Sequence, residues 1–392
     1  MSTARVDIAI IGGGIAGLWC RWKLENAGYS TVLLEKSRLG NGQTAASQGI
    51  LHRGVKYALG PDAAHAATAA EASARAWDDA MSGAGGPNLC GVDIVSESML
   101  MWTDSGIISK LTGAIASKVL TSHVEAARSA DIPSLLDARG RAVYCVAERV
   151  IEPISALRAL FGAANGPVVS AEVETIAAAS SGMCLRWGGT KIEAGAVVLC
   201  AGEGNEALLR LFGQPAEQMM QRRDLHMVFG RGAPELLFGH WIAAASDKPR
   251  LTITSAQADG AITWYLGGEL AESGVSRNVD GQIEAARAEL RHCFPKLDFD
   301  DWEFRTLRIA RAEGKSSSGK RPDSPVVRRI AGTNAIAVWP TKLVTAPAAA
   351  EEVLGVVRSI CEPSGSELGD IGHSDRPVYA SIPWHSHAQT QH

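Results

Sequence analysis

The feature that most constrains this chain is the run Val6-Asp7-Ile8-Ala9-Ile10-Ile11-Gly12-Gly13-Gly14-Ile15-Ala16-Gly17 near its start. The apolar stretch from Val6 to Ile11 reads as a buried parallel strand. It stops at glycine and resumes as a helix through Leu18, Trp19, Cys20, Trp22 and Leu24. Gly12, Gly14 and Gly17 fit G-x-G-x-x-G. The first makes a tight turn, the second lets a pyrophosphate approach the backbone, and the third lets helix and strand pack closely. The amides of Ile15, Ala16 and Gly17 at the helix start then meet phosphate charge. A second apolar run, Thr31 to Leu34, ends at Glu35, with Lys36 behind it. An acid at that strand end, about 20 residues on, can accept both hydroxyls of an adenosine ribose. A glycine signature alone often marks only a turn. Here strand, turn, helix, strand and acid stand in order, so dinucleotide binding is expected.

The stretch Gly40 to Tyr57 separates a flavin from a nicotinamide dinucleotide. Thr44, Ser47, Gln48 and Gly49 offer amides and hydroxyls that can follow a cofactor past its pyrophosphate. Ser47-Gln48-Gly49-Ile50-Leu51-His52-Arg53-Gly54-Val55-Lys56-Tyr57 reads small-x-G-apolar-apolar-H-x-G-x-x-Y. On these residues the chain resembles the FAD-dependent D-amino-acid oxidase superfamily. Within it, the stretch looks most like the branch of glycerol-3-phosphate and L-2-hydroxyglutarate dehydrogenases.

Later segments carry the same resemblance. Ala194 to Gly202 is an apolar strand ending in Ala201-Gly202, and in the superfamily this strand abuts the adenosine half of FAD. Val173, in the segment Pro167 to Ala179, joins that cofactor-binding set. Gly319-Lys320-Arg321-Pro322 with Pro325 matches a Gly-x-Arg-Pro…Pro segment whose arginine commonly faces the substrate. Pro340-Thr341-Lys342-Leu343-Val344-Thr345 resembles Gly-Gly-Lys-Leu-Thr-Thr of the glycerol-phosphate dehydrogenases, with both glycines replaced. The resemblance puts Lys342 and Leu343 beside the flavin. Thr345 is placed to cap the helix that follows, and Pro347 suits its first turn. The positive helix end and Lys342 then stabilise negative charge at flavin N1 and O2.

The resemblance implies an α/β fold with a Rossmann-like FAD-binding domain built from residues 1–87, 151–213 and 315–361. An antiparallel β-sheet substrate domain with flanking helices takes 88–150 and 214–314. Residues 362–392 are Ser-, Pro- and His-rich and read as a flexible tail into which Trp384 hints at docking. Locally, helices are expected over 62–82, 107–130 and 280–294, and strands over 91–102 and 142–151. Ser155 is expected as a helix cap, and a hairpin at Asp259-Gly260. Arg305, Arg308 and Arg311 make one basic face on a helix or split between faces on a strand.

Composition excludes other classes. A net charge of −4 gives no reason to expect nucleic acid. Seven scattered cysteines form no C-x-x-C pair, so no metal is expected, and reduced thiols point to the cytoplasm. His373, His385, His387 and His392 in the tail are read as a weak metal set at most. No apolar run reaches membrane-spanning length, so any membrane association is expected to be peripheral.

The expected activity is hydride transfer to FAD from the CH–OH carbon of a small anionic substrate, a 2-hydroxy acid or a polyol phosphate. His52 takes the hydroxyl proton. Arg321, with Arg53 or Lys56, holds the anion, and Tyr57 and Tyr265 complete the substrate site. The alternative is oxidation at CH–NH, in which His52 is incidental. A flavin-binding protein without turnover and an NAD-only dehydrogenase are the remaining readings. Oxygen or a quinone is the electron acceptor.

Overall fold

The computed structural model describes residues 4–53, 63–103, 124–136, 141–180, 182–242, 249–316, 321–365 and 377–383. Strand β1 (Ala4–Ile11) is buried from Val6 onward, and a strand apolar on both sides belongs at a sheet's centre. It pairs in parallel with Thr190–Leu199 on one side and with β2 (Thr31–Glu35) on the other. From edge to edge the sheet runs Val326–Arg329, Ala335–Trp339, Thr190–Leu199, β1, β2, Val168–Ser170. The hairpin Thr175–Ala179 with Gly182–Trp187 pairs back onto Thr190–Leu199. Alternation along β1 sends Ile8 and Ile10 into a core with Leu18, Leu24 and Leu354, and Ala9 and Ile11 into the opposite core with Trp187 and Trp339. Helix α1 (Ile15–Asn26) packs against Ala346–Arg358 and Pro153–Gly162.

A second sheet runs Glu303–Gly314, Met220–Ala233, Ala261–Gly267, Leu251–Ala258, Gly239–Ile242, Met99–Thr103, Ala142–Val146, Val124–Ala126. It is antiparallel except where Gly239–Ile242 meets Met99–Thr103 in parallel. The turn between Leu251–Ala258 and Ala261–Gly267 has Asp259 and Gly260 at φ 50° and 72°, the paired positive φ of a two-residue hairpin. One face carries Trp102, Trp241 and Trp264 against Phe294, Leu290 and Ala286, the last two on helix Val279–Cys293. The other face presents His240, Thr252, Thr254 and Tyr265 towards the loop that follows β2.

Several local expectations are corrected. The strand over 91–102 is two, Ile94–Ser96 and Met99–Thr103. Of the helix over 107–130, residues 107–123 lie outside the described set, and Val124–Ala126 is a strand paired with Ala142–Val146. The strand over 142–151 breaks between Val146 and Val150. Helix Pro153–Gly162 is capped by Glu152, which accepts from Ile154 and Ser155 amides, while Ser155 Oγ accepts from Asp93 N instead. Asn278, not Asp280, caps the helix over 279–293. Arg305, Arg308 and Arg311 lie on strand Glu303–Gly314; Arg308 donates to the Val275 and Arg277 carbonyls and Arg311 to Glu272.

Part of the tail is docked. Ser364 Oγ donates to the buried Asp7 at 2.6 Å, and Tyr379 bridges Leu39 while Ala380 and Ile382 enter the first core. Trp384 and the four tail histidines lie outside the described residues. Among the described residues no helix is long and apolar enough to cross a membrane.

Candidate active site

The three signature glycines are needed for two different reasons. Gly12 sits at φ 110°, and a Cβ there would lie 2.6 Å from the Cys200 carbonyl oxygen. A Cβ on Gly17 would lie 1.9 Å from the Gly12 oxygen. The protein's own packing therefore demands both. A Cβ on Gly14 would meet only Thr44 Oγ1, at 3.2 Å. The fold leaves that approach open, as a ligand touching the backbone requires.

Other groups around the turn fit the same cofactor. No side chain of the cap residue Gly14 covers the start of α1, whose first turn holds no acid. Ile15 N donates to Thr44 Oγ1 at 3.2 Å, which fixes the loop onto the helix start. Glu35 Oε2 accepts from Gly13 N at 2.7 Å and Oε1 from Ser37 N at 2.9 Å, so the carboxylate is locked beside the turn. Ser47 Oγ is buried with no hydrogen-bond partner among the described residues. Such an orphan is costly unless a ligand satisfies it. Across the turn, Gly202 has φ 59° and faces Gln43, whose Oε1 accepts from Ala312 N at 3.0 Å. Ala201 N donates to the buried Asn205 Oδ1 at 2.9 Å. Cys200 is inert: a hydrogen bond with Cys20 and burial push its thiol well up. Lys36 is exposed and pairs with Glu172 at 3.5 Å, and Val173 and Leu343 pack at the margins of the two cores.

The register of a short antiparallel pairing builds the second half of the site. Ile151 N donates to Gly49 O, Ile50 bridges Val150, and Leu51 N donates to Arg149 O. Gly49 is at φ 71°, and a Cβ there would lie 2.0 Å from the Ile151 oxygen. One step further the same register sets His52 opposite Glu148. His52 Nδ1 and Glu148 Oε2 are 2.9 Å apart, and Arg53 N donates to Glu148 Oε1 at 3.1 Å. His240, on the second sheet, brings Nε2 within 3.6 Å of the same Glu148 oxygen. Its Nδ1 lies 2.9 Å from Thr252 Oγ1, on the neighbouring strand directly opposite. The side chains of Glu148, His240 and His52 are 1%, 3% and 20% exposed. A neutral His52 donating from Nδ1 to the carboxylate carries its lone pair on Nε2, the tautomer of a proton acceptor.

The remaining expected residues are placed as follows. The Arg53 guanidinium is committed to Glu71 at 3.2 Å and to Asp78, so its charge is already neutralised by two acids of helix Ala63–Ser82. Gln48 Nε2 donates to the carbonyls of Tyr265 and Thr252 at 2.9 and 3.3 Å, bolting the loop to the second sheet. Tyr265 is buried, stacks on Phe229, and donates its hydroxyl to Ala46 O at 2.8 Å; burial pushes its ionisation far up. The Arg321 segment lies against the Lys342 loop: Lys342 Nζ donates to Asp323 O at 3.4 Å and Thr341 Oγ1 to Ser324 O at 3.2 Å. Thr341 keeps φ 69°, a glycine-like backbone at a position where the resembled family has glycine. Thr345 is the N-cap residue of helix Ala346–Arg358, but its side chain does not accept from the helix. Its hydroxyl turns back to the Pro340 and Lys342 carbonyls, which shapes the loop and leaves the helix start uncovered by its cap side chain. Lys56, Tyr57 and Lys320 lie outside the described residues.

Sequence reasoning missed Glu148, His240, Thr252 and Gln43. One signal was present: Glu148 and Arg149 interrupt an otherwise apolar run from Val146 to Ile151. His240 gave none, since a histidine in an apolar strand is ordinarily core.

Comparison with known proteins places this architecture. Residues 7–353 match the family described as DAO, FAD dependent oxidoreductase. The probable FAD-dependent oxidoreductase PA4991 of Pseudomonas aeruginosa is 40% identical over 395 residues, covering 96% of this chain and 97% of that protein. Its crystal structure superposes with a TM-score of 0.80, covering 98% of each chain. Glycine oxidase of Geobacillus kaustophilus (TM-score 0.67, 16% identity, 92% of this chain and 96% of that one) shares the fold. So does the FAD-bound L-alpha-glycerophosphate oxidase of Mycoplasma pneumoniae (0.64, 13%, 98% and 100%). The comparisons therefore do not single out the glycerol-phosphate and hydroxyglutarate branch. A family match over most of the length, a close relative and a glycine turn open where a pyrophosphate would touch it agree: this chain is an FAD-dependent oxidoreductase of the DAO family.

Proposed function

We propose that the chain oxidises a CH–OH carbon in a small anionic substrate, a 2-hydroxy acid or a polyol phosphate. FAD, when bound, supplies the hydride acceptor. Gly12, Gly14, Gly17, Glu35, Thr44 and Ser47 hold it, and Lys342 with the start of helix Ala346–Arg358 supplies positive potential. A neutral alcohol is a poor hydride donor, so its proton must be removed as the hydride leaves. His52 Nε2 accepts that proton. Glu148 selects the tautomer and stabilises the imidazolium that results. Arg321 holds the substrate anion; Arg53 is not used, because its charge is met by Glu71 and Asp78. We assign the FAD-binding and substrate-binding parts to the segments delimited above.

The observation that carries the reading is the His52–Glu148 pair. A buried carboxylate accepting from an imidazole is costly to assemble, and an amine substrate, which brings its own lone pair, has no need of it. The test is anaerobic mixing of the FAD-loaded protein with panels of hydroxy acids, polyol phosphates and amino acids, read as loss of flavin absorbance. Bleaching by members of the first two panels is expected. Bleaching only by amino acids, such as the glycine for which glycine oxidase is named, would transfer the chain to CH–NH chemistry.

A further inference from the structure

We propose that His52, Glu148 and His240 form a binding site for a divalent transition-metal ion of the zinc class. One ligand atom from each residue can be chosen so that all three lie within 4.8 Å of one another. Glu148 Oε2 is the hub, 2.9 Å from His52 Nδ1 and 3.6 Å from His240 Nε2. Two imidazole nitrogens and one carboxylate oxygen suit zinc, with a fourth position left for water. Hard cations that require six or more oxygens are a poor match.

Outer contacts support the same use. A ligating histidine ordinarily gives its other nitrogen to a fixed acceptor. His240 has this arrangement, with Nδ1 at 2.9 Å from Thr252 Oγ1. The second oxygen of Glu148 is held by Arg53 N at 3.1 Å, so the first is oriented towards both rings. Two of the three side chains are almost fully buried, and His52 at 20% exposure is the open side. The elements that carry the three residues are the loop after β2, the break at 147–149 and strand Gly239–Ile242, each fixed by pairing with a neighbour.

Occupancy has a chemical consequence, which rests on the proposed role of His52. An ion on Nδ1 displaces the proton that Nδ1 shares with Glu148. The neutral ring then carries that proton on Nε2, where the alcohol's proton should arrive. Metal binding thus switches the base off without occupying the substrate site.

The experiment is isothermal titration of the FAD-loaded full chain with Zn²⁺, with Mg²⁺ as the comparison ion. One Zn²⁺ per chain and no Mg²⁺ binding are expected. His240→Ala should weaken Zn²⁺ binding at least about tenfold, and Thr252→Val, which removes only the outer contact, about tenfold. FAD content and melting temperature show that each variant is folded; Thr252→Val preserves the test where a ligand variant does not fold. No Zn²⁺ binding, or binding unchanged in both variants, would overturn the site. Anaerobic reduction with and without Zn²⁺ then separates the two proposals. Slowing that a chelator reverses supports both, whereas site-specific binding without slowing keeps the site and removes His52 as the base.

Discussion

The glycine turn and the His52–Glu148–His240 cluster are assembled in opposite ways. The turn, β1, α1 and β2 lie within Ala4–Glu35, and most contacts that shape the turn fall inside that range, Gly12 against the Cys200 carbonyl being an exception. Gly17 meets Gly12, and Glu35 meets Gly13. The cluster joins residues 96 positions apart across one hydrogen bond and draws its third member from the second sheet. The first region is specified by backbone sterics, which few residue types satisfy. The second is specified by pairing register, which many sequences satisfy and which only the folded chain reveals. In the proposed account, affinity for the cofactor belongs mainly to the local region and the choice of chemistry to the long-range one.

The comparison breaks most visibly at the turn. Gly14→Val should abolish FAD binding while costing the apoprotein less stability than Gly17→Ala, because its Cβ meets only the Thr44 side chain, at 3.2 Å, and no backbone. Gly17→Ala should instead destabilise the fold itself, by about 3 kcal/mol, since its methyl meets backbone that must move. FAD stoichiometry and denaturant melts distinguish the two. Full FAD occupancy in Gly14→Val would remove the turn from the cofactor site.

Effects at the cluster should be kinetic. Glu148→Gln keeps the shape but can donate as well as accept, so the tautomer with its lone pair on Nε2 is no longer selected. Anaerobic flavin reduction should slow on the order of 10²-fold with FAD content unchanged. Arg321→Ala should raise KM about tenfold or more by removing a charge-assisted partner, with FAD binding intact. Equal loss of both would make Arg321 structural. The smallest effect is at Thr341. Thr341→Gly relieves a left-handed backbone but loses the bond to Ser324 and adds unfolded-state freedom. Stability should change by less than about 1 kcal/mol in a denaturant melt.

Legibility in the sequence followed the same division. The βαβ unit, the hairpin at Asp259-Gly260 and the buried strand before Ala201-Gly202 were readable because periodicity and glycine chemistry act over a few residues. Helix caps failed where a neighbour competed, as Glu152 did with Ser155 and as the Pro340 carbonyl did for Thr345. Arg53 and Tyr265 were legible as functional residue types, yet their partners, Asp78 and Ala46, come from other segments. Glu148 stood out only as a charge inside an apolar run, and its register with His52 was not deducible before the strands were paired.

The most direct test of the central claim is the rate at which His52→Ala reduces its own flavin. Wild type and variant, matched for FAD content, are mixed anaerobically with the hydroxy substrate that bleaches the wild type, and single-turnover reduction is followed. A base that removes the hydroxyl proton contributes about 10²–10⁴-fold, and a loss of that size is predicted. Reduction of His52→Ala at the wild-type rate would contradict the account.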